Sequence, residues 1–495
     1  MKFSNLYSVS VGCNFILFCV LCFIVFVPVK FQEDAYQPNS PFKEMQFQSN
    51  LGTDENEESD TIKEKQGENP ILLWWTNGLF PHHPGDELVP IDCEGHPCFS
   101  TNRRRYLSDE RTRGIMFYGS DITPDKLPLP RKSTHEWALF HEESPMNNYI
   151  LSKEPFISLF NHTATFRSES DYPITTQNIY SLKFITRRKP IPLDVKNSEK
   201  TKRNLAPVLY AQSHPGVPSD RDSYVEELMK YVKVDSYGSC LHNKDLPEHL
   251  RDPAENFENH EFLDFISVYK FHLAFENAVC KDYMTEKLMR PLHVGSVPIY
   301  YGSPFAQEWM PNNSTVIMVN DFKSPKELAE FINYLDNNDD EYEKYMQFKK
   351  TGGVTNQKLV DYMKKRPWGS HDHNFYIFNE DNKPDYFNGF ECHVCKNIHK
   401  RMENEKLRQL DTSVPHLPPK LANNSHMGCP EPFSSLGLSE EELKNRWTET
   451  DWIRVYRTQE MMASAVHDMM DANETNSEHF INYLNKYLKN SDVSL

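Results

Sequence analysis

Six side chains between positions 276 and 287 form the densest group in this sequence able to handle a charged sugar donor: Glu276, Asn277, Tyr283, Thr285, Glu286 and Lys287. A departing phosphate needs fixed positive charge, and a sugar losing its leaving group is stabilised by a nearby carboxylate. A plainer reading stands beside this one. Thr285 is a good helix N-cap and Glu286 an acid that favours a first helical turn.

A second stretch, Pro218-Ser219-Asp220-Arg221-Asp222, scans as the Asp-x-Asp pattern that holds a divalent ion in some enzymes. Ser219 or Asp220 serves equally well as a helix N-cap, so the acids are discounted as metal ligands. Arg221 is the residue selected there. A guanidinium just ahead of a helix N-terminus suits a diphosphate through charge-assisted bonds.

The elements that must position these groups are legible as apolar runs. Phe271, Leu273 and Phe275 open a strand, and Val297, Ile299 and Tyr301 close another, with a helical segment between. Gly295, Pro298 and Gly302 shape the exit turns. This is a β-loop-α-β unit, the usual carrier of a nucleotide at the carboxyl ends of parallel strands. Further strands are expected at Ile71–Trp75, Gly114–Tyr118, Trp137–Phe140, Ile157–Phe160, Val208–Gln212 and Thr315–Val319, and one ending at Tyr237-Gly238. Helices are expected over Tyr224–Val232, Pro325–Leu335, Asp340–Lys350, Ile398–Leu410, Glu440–Trp447 and Glu478–Leu488. The basic segment Arg187–Asn204 reads as a solvated linker between two lobes.

The run FENAVCKDYMTEKL resembles the donor motif of the alpha-1,3-fucosyltransferases, which reads roughly FEN-S-x-x-x-DY-[IV]-TEK-[LF]. It departs at Ala278, where Ser is usual, and at Cys280, where animal members often carry His. The resemblance covers roughly 71–370. WWTNGLFPHHPGD, LFHEESPMNNY and SDRDSYVEELM look closer to the divergent animal branch of GDP-fucose protein O-fucosyltransferases. It implies a GT-B fold, two Rossmann-like α/β lobes facing a cleft, and inverting fucosyl transfer from GDP-fucose, with no metal and no cofactor. By resemblance, Arg221 and Lys287 hold the diphosphate and Glu286 contacts the fucose. Tyr237, Asn277 and Tyr283 line the nucleotide pocket, with Glu276 behind them. The base that deprotonates the acceptor hydroxyl is Glu143, or its neighbour Glu142. The implied acceptor is a Ser or Thr hydroxyl on folded EMI-type domains. The alternatives are N-acetylglucosamine in glycans, or a lumenal sugar-binding protein without turnover.

The chain has 495 residues, 25% charged and 13% aromatic, room for two or more domains. Its net charge of −17 argues against a general nucleic-acid binder. Val9–Val29 is apolar and long enough to span a bilayer, and is read as an uncleaved signal-anchor; a cleaved signal peptide is the rival. The layout follows: a cytoplasmic tail at 1–8, an anchor at 9–29 and a polar stem at 30–69. An acceptor-side lobe covers 70–186, a linker 187–205, a donor-binding lobe 206–370 and a helical tail 371–495. The branch resemblance implies a type II protein of the endoplasmic reticulum membrane, with the Golgi as alternative. Of seven cysteines beyond the anchor, Cys93 with Cys98 and Cys392 with Cys395 are the closest candidate disulfide pairs, favoured over half a zinc site. Sequons at Asn161, Asn312, Asn313, Asn423 and Asn473 fit a secretory route.

Overall fold

Strands buried on both faces have no need to alternate polar with apolar residues, and the strands at Ile71–Trp74, Val208–Tyr210 and Val297–Tyr301 are continuous apolar runs. In the computed structural model, residues 68–489 are described, apart from 77, 84–86, 252–258, 370–382 and 434–451. The expected anchor and most of the stem, and the helix expected at Glu440–Trp447, lie outside the described residues. No helix among the described residues is long and apolar enough to cross a membrane.

The first sheet has strand order β2-β3-β1-β4-β5-β6. Its members are β1 (Ile71–Trp74), β2 (Val89–Asp92), β3 (Pro97–Thr101), β4 (Thr112–Tyr118), β5 (Glu136–His141) and β6 (His162–Thr165). Only the β2–β3 pairing is antiparallel. Side chains alternate across the sheet with the strand period of two. Leu72, Trp74, Met116, Ala138 and Phe140 share one face, and Leu73, Ile115, Phe117, Trp137 and Leu139 share the other.

The second sheet is wholly parallel, in order β11-β10-β9-β7-β8. It comprises β7 (Val208–Tyr210), β8 (Val234–Ser236), β9 (Phe271–Phe275), β10 (Val297–Tyr301) and β11 (Ile317–Met318). Around it lie α1 (Leu193–Lys202), α2 (Arg221–Leu228), α3 (His260–Ser267), α4 (Glu286–Val294) and α5 (Pro325–Asp336). Val225 and Leu228 of α2 join Leu328 and Ile332 of α5 in one apolar cluster with Val208 and Tyr210. Phe262, Leu263 and Ile266 of α3 pack in another with Leu209.

Three expectations need correction here. The expected strand at Ile157–Phe160 is instead the end of a helical turn, Glu154–Ile157, with Pro155 in its first turn, and the strand that follows β5 in the sheet is β6. A short apolar run does not by itself distinguish a strand from a buried helical turn. The basic segment Arg187–Asn204 is not a solvated linker, because α1 fills most of it and buries Lys196. The Lys196 ammonium donates to the Tyr269 and Gly295 carbonyls (2.9 and 2.7 Å) and to Ser296 Oγ (3.0 Å), fastening α1 to the second sheet.

The third concerns the C-terminal segment, which is part of the first lobe rather than an appended tail. Helix α6 (Tyr386–Leu410) lays Phe387, Phe390, Val394 and Ile398 against the Leu72/Trp74 face. Helices α7 (Trp452–Asp471) and α8 (Phe480–Leu488) place Ala463, Val466, Met469, Phe480 and Leu484 in the cluster on the opposite face. Each such buried large apolar side chain stabilises by roughly 1.5–3 kcal/mol before entropy is counted. The cysteine pairing follows from this packing. Cys93 joins Cys392 and Cys98 joins Cys395, so the expected local pairs are wrong. One turn of α6 faces the β2–β3 hairpin, and each cysteine meets its partner across that contact. Cys280 pairs with Cys429, and Cys240 is free and buried.

Candidate active site

In an open parallel sheet, ligands bind beyond the carboxyl ends of the strands where the strand order reverses. In the second sheet that point lies between β7 and β9, and the residues leaving β9 there are Glu276 and Asn277. Glu276 is completely buried, and its carboxylate accepts from both the N–H and the Oγ1 of Thr285, each at 2.8 Å. Thr285 in turn caps α4, its Oγ1 accepting the Lys287 N–H at 3.3 Å. One buried acid therefore fixes the entry of the helix that presents Glu286 and Lys287. Gly302 permits this arrangement, since a Cβ there would lie 2.7 Å from the Glu276 Cγ and 2.3 Å from the Tyr300 hydroxyl.

Lys287 Nζ sits 2.9 Å from Glu286 Oε1 and 3.7 Å from Glu276 Oε2. The Glu286 and Lys287 side chains are about one-fifth exposed, 21% and 19%, so both look into solvent from a largely desolvated position. Burial drives Glu276 up to about 7, against the pull of Lys287. Burial also works on Glu286, but Lys287 and Arg290 outweigh it and hold that carboxyl below its usual range. Lys287 is likewise held above the usual lysine value, because Glu286 and Glu276 outweigh its desolvation. Glu286 and Lys287 are therefore a formed ion pair at neutral pH.

Arg221 is the first residue of α2, not a residue ahead of it. Its guanidinium is buried across the β7–β9 crevice, donating to the carbonyls of Phe275 and His214, both at 3.0 Å. Its charge acts on Lys287, so two fixed positive groups share the crevice. The flanking acids are occupied separately. Asp220 Oδ1 accepts from Ser223 Oγ and Asp222 Oδ1 from the Tyr210 hydroxyl. Asn277 keeps a buried side-chain oxygen without a hydrogen bond. Tyr237 is not in this group. Its ring packs in the core against Phe265 and Tyr269, and its hydroxyl is bonded to the Tyr269 hydroxyl.

The first lobe reaches the same place through the loop after β5. Glu142 and Glu143 follow His141 directly. The Tyr283 hydroxyl, from the second lobe, donates to Glu143 Oε2 at 3.3 Å. Burial raises the Glu143 carboxyl above its usual range; Lys287 pulls it down and Glu286 pushes it up. These influences put Glu143 within electrostatic reach of the ion pair. Tyr283 itself is pushed well up by burial and keeps its proton. Glu142 Oε1 accepts from the Tyr118 hydroxyl at 2.9 Å, its Oε2 is buried without a hydrogen bond, and burial raises the carboxyl to about 7. Sequence reasoning missed Tyr118, for which nothing but its place at the end of β4 offers a signal.

Among the described residues, the one group spaced to ligate a metal is Cys98, Cys395 and His399, and its two sulfurs are bonded to each other. Among the sequons, Asn313, Asn423 and Asn473 are exposed and Asn312 is half-buried. Asn161 is buried, and its amide nitrogen donates to the Lys420 carbonyl at 2.9 Å while its oxygen accepts from Trp137 N–H and Arg131. The expectation of a glycan at Asn161 is therefore wrong for the folded chain.

Residues 66–177 match the model for the N-terminal fucosyltransferase domain, and 198–413 match that for the C-terminal domain of glycosyltransferase family 10 (fucosyltransferase). GDP-fucose protein O-fucosyltransferase 3 of Gallus gallus is 45% identical over 383 residues, 76% of this chain and 76% of that protein. Its Homo sapiens counterpart is 43% identical over 410 residues, 82% of this chain and 80% of that protein. A solved alpha1,3-fucosyltransferase with GDP-fucose covers 59% of this chain and 78% of its own, at 17% identity and a TM-score of 0.34, too distant to bear on the site.

Proposed function

This chain belongs to glycosyltransferase family 10, the fucosyltransferases, and from that premise we propose that it transfers L-fucose from GDP-fucose to Ser or Thr hydroxyls of folded, EMI-type protein domains. The observation that carries the reading is the meeting of Glu143 with the Glu286–Lys287 pair across Tyr283. Two α/β bodies brought together at the carboxyl ends of their strands fit the GT-B arrangement.

The chemistry is one inverting displacement. The acceptor oxygen attacks the anomeric carbon, its O–H bond breaks, and the proton passes to Glu143. The bond from the anomeric carbon to the phosphate oxygen breaks, and GDP leaves with the electron pair. Arg221 and Lys287 meet the charge that builds on the diphosphate, and Glu286 faces the cationic sugar. Asn277 offers its unbonded oxygen to the nucleotide. These groups supply the positive charge without a metal. Glu143 is preferred to Glu142 as base because Glu286 and Lys287 act on Glu143 across the cleft and not on Glu142.

The acceptor side has room of its own. A cavity of about 460 Å³ lies at the strand-order reversal of the first sheet, between β1 and β4, lined by Trp75, Thr76, Arg104, Phe117, Asp121 and Lys126. Those strand ends lie two spacings (β1) and one spacing (β4), roughly 10 and 5 Å, from the end of β5 that leads to Glu143. A type II anchor at 9–29 and residence in the endoplasmic reticulum complete the proposal, supported by the apolar run and the three disulfides.

The test is transfer from GDP-fucose by the purified lumenal protein to a folded EMI domain or to a lactosamine glycan. Fucose on the domain alone is expected. Fucose on the glycan alone replaces the acceptor assignment, and GDP-fucose binding without transfer to either removes the enzyme reading.

A further inference from the structure

The loop from Asn277 to Tyr283 leaves the second sheet, and of its apolar side chains Val279 alone packs against that lobe's core. Ala278, Cys280 and Tyr283 belong to the core cluster of the first lobe, with Phe166, Phe160 and Leu151. The Tyr283 ring meets the Phe166 ring edge-on at 5.1 Å. Cys280 is bonded to Cys429, on a C-terminal segment that runs along the first lobe. That segment is tied to the lobe at Ala422 N–H to the Phe160 carbonyl (2.8 Å), at Thr165 to the His426 carbonyl, and at Arg167 to the Gly428 carbonyl. Four residues past the disulfide, the Phe433 N–H donates to the Pro218 carbonyl at 3.1 Å, just ahead of Arg221.

The tip of the loop is held still more closely. Asp282 has φ +63°, a left-handed conformation that costs a non-glycine residue free energy and persists where the surroundings over-determine it. Its buried carboxylate accepts from Ser168 Oγ (2.6 Å) and Ser168 N–H (3.1 Å) of the first lobe, and from Trp309 Nε1 (3.1 Å) of the second. Its own N–H donates to Ser303 Oγ at 2.9 Å. Lys281 pairs with Glu169 of the first lobe. The Tyr283 N–H closes a turn onto the Cys280 carbonyl at 3.2 Å, so the disulfide-bonded residue sets the direction from which the Tyr283 hydroxyl approaches Glu143.

We infer that the Cys280–Cys429 disulfide, with its strap at 422–433, is a cross-lobe clamp that positions Tyr283 against Glu143 and so sets the base for transfer. The inference rests on the proposed fucosyl transfer. It separates two halves of the site that differ in their supports. Glu286 and Lys287 are held by Thr285 and Glu276 within the second lobe and do not need the clamp. Glu143 and Tyr283 come from opposite lobes and do.

The test uses the full lumenal protein with both cysteines replaced, C280A/C429A. Transfer kcat is expected to fall roughly 10- to 100-fold, the scale of an angstrom-level misplacement, while GDP affinity stays within about twofold. A double-mutant cycle with Tyr283→Phe supplies a readout that a purely stabilising disulfide would not move. Tyr283→Phe slows the intact enzyme but adds little once the clamp is gone. Should C280A/C429A fail to fold, Ser168→Ala in the disulfide-bonded protein loosens the same loop at Asp282, and a fall of about threefold in kcat at unchanged GDP affinity is expected. A lowered melting temperature with unchanged kcat overturns the inference, as does additivity in the cycle or a parallel loss of GDP affinity. Absence of transfer by the unaltered protein overturns instead the function on which it rests.

Discussion

A buried and a half-buried glutamate in the first lobe show how a structural site differs from a prepared one. Glu391 faces the first sheet from the second turn of α6 and is saturated, with Trp74 Nε1 at 2.7 Å, His82 Nε2 at 2.7 Å and the Ser100 hydroxyl all bonded to its carboxylate. Glu143 is held by one long side-chain hydrogen bond of 3.3 Å, by the Ser144 backbone and by the field of an ion pair on the facing lobe. Burial makes a carboxylate costly, and complete pairing removes most of that cost. Glu143 is left under-bonded, with its carboxyl raised, which suits a group that must accept a proton during a reaction. The same contrast separates Asn161, with every side-chain bond made inside the fold, from Asn277, whose oxygen is unbonded.

The strongest challenge to this contrast is the removal of charge from the facing lobe. Lys287→Ala and Glu286→Ala are each expected to lower transfer by on the order of 10³-fold or more, with the melting temperature close to that of the parent. Transfer at the parent rate by either variant breaks the site assignment. Glu143→Gln comes next, with a loss of about 10²-fold, against less than about tenfold for Glu142→Gln. A reversal of those two would make Glu142 the base. Glu391→Ala reads the other side of the comparison. It strands the buried Trp74 and Ser100 donors and costs about 3 kcal/mol of stability, with activity per folded molecule retained. Calorimetry together with active-site titration separates the two effects.

The pH dependence sharpens the same point. The base works as its anion, and Glu143 is raised above the ordinary carboxylate range, so kcat/KM should climb with pH through that raised value. The Tyr283 hydroxyl favours the charged form of Glu143. Tyr283→Phe withdraws that support, the carboxyl rises further, and the ascending limb moves to higher pH. A limb that stays in place would mean that another group supplies the base.

The donor half of the site was legible because it is local. Glu276, Thr285, Glu286 and Lys287 lie within twelve residues, between apolar runs that are strands in the structure, and the N-cap role of Thr285 is among the readings available at once. Both readings of Thr285 and Glu286 hold together, since the cap and the charged pair are one device. What could not be read is what closes over long separations. The disulfides that fasten α6 to the β2–β3 hairpin span 299 and 297 residues, and proximity in sequence suggested the wrong partners. The β2–β3 hairpin escaped notice because β2 is a half-exposed edge strand carrying Pro90, a weak signal. Tyr237 was misplaced because a turn beside a nucleotide says nothing about the direction of a ring. Its side chain lies in the core with Phe262 and Ile266.

The smallest expected effect concerns glycans. A sequon states only that the peptide has the accepted pattern, whereas attachment needs the amide nitrogen to be reachable. Asn313, Asn423 and Asn473 are exposed in the structure. Asn161 spends its nitrogen on Lys420 and its oxygen on Trp137 and Arg131, which ties the start of β6 to the start of β5 and to the C-terminal segment. Mass spectrometry of the secreted lumenal protein should therefore find sugar at some or all of the three exposed positions and none at Asn161. Asn313→Gln, Asn423→Gln and Asn473→Gln should each shift the melting temperature by less than about 2 °C, while Asn161→Gln, which lengthens a buried side chain, should lower it several-fold more. Stoichiometric glycan on Asn161 in active enzyme would show that its three bonds are dispensable, and would remove the distinction between saturated and open polar groups on which the site was recognised.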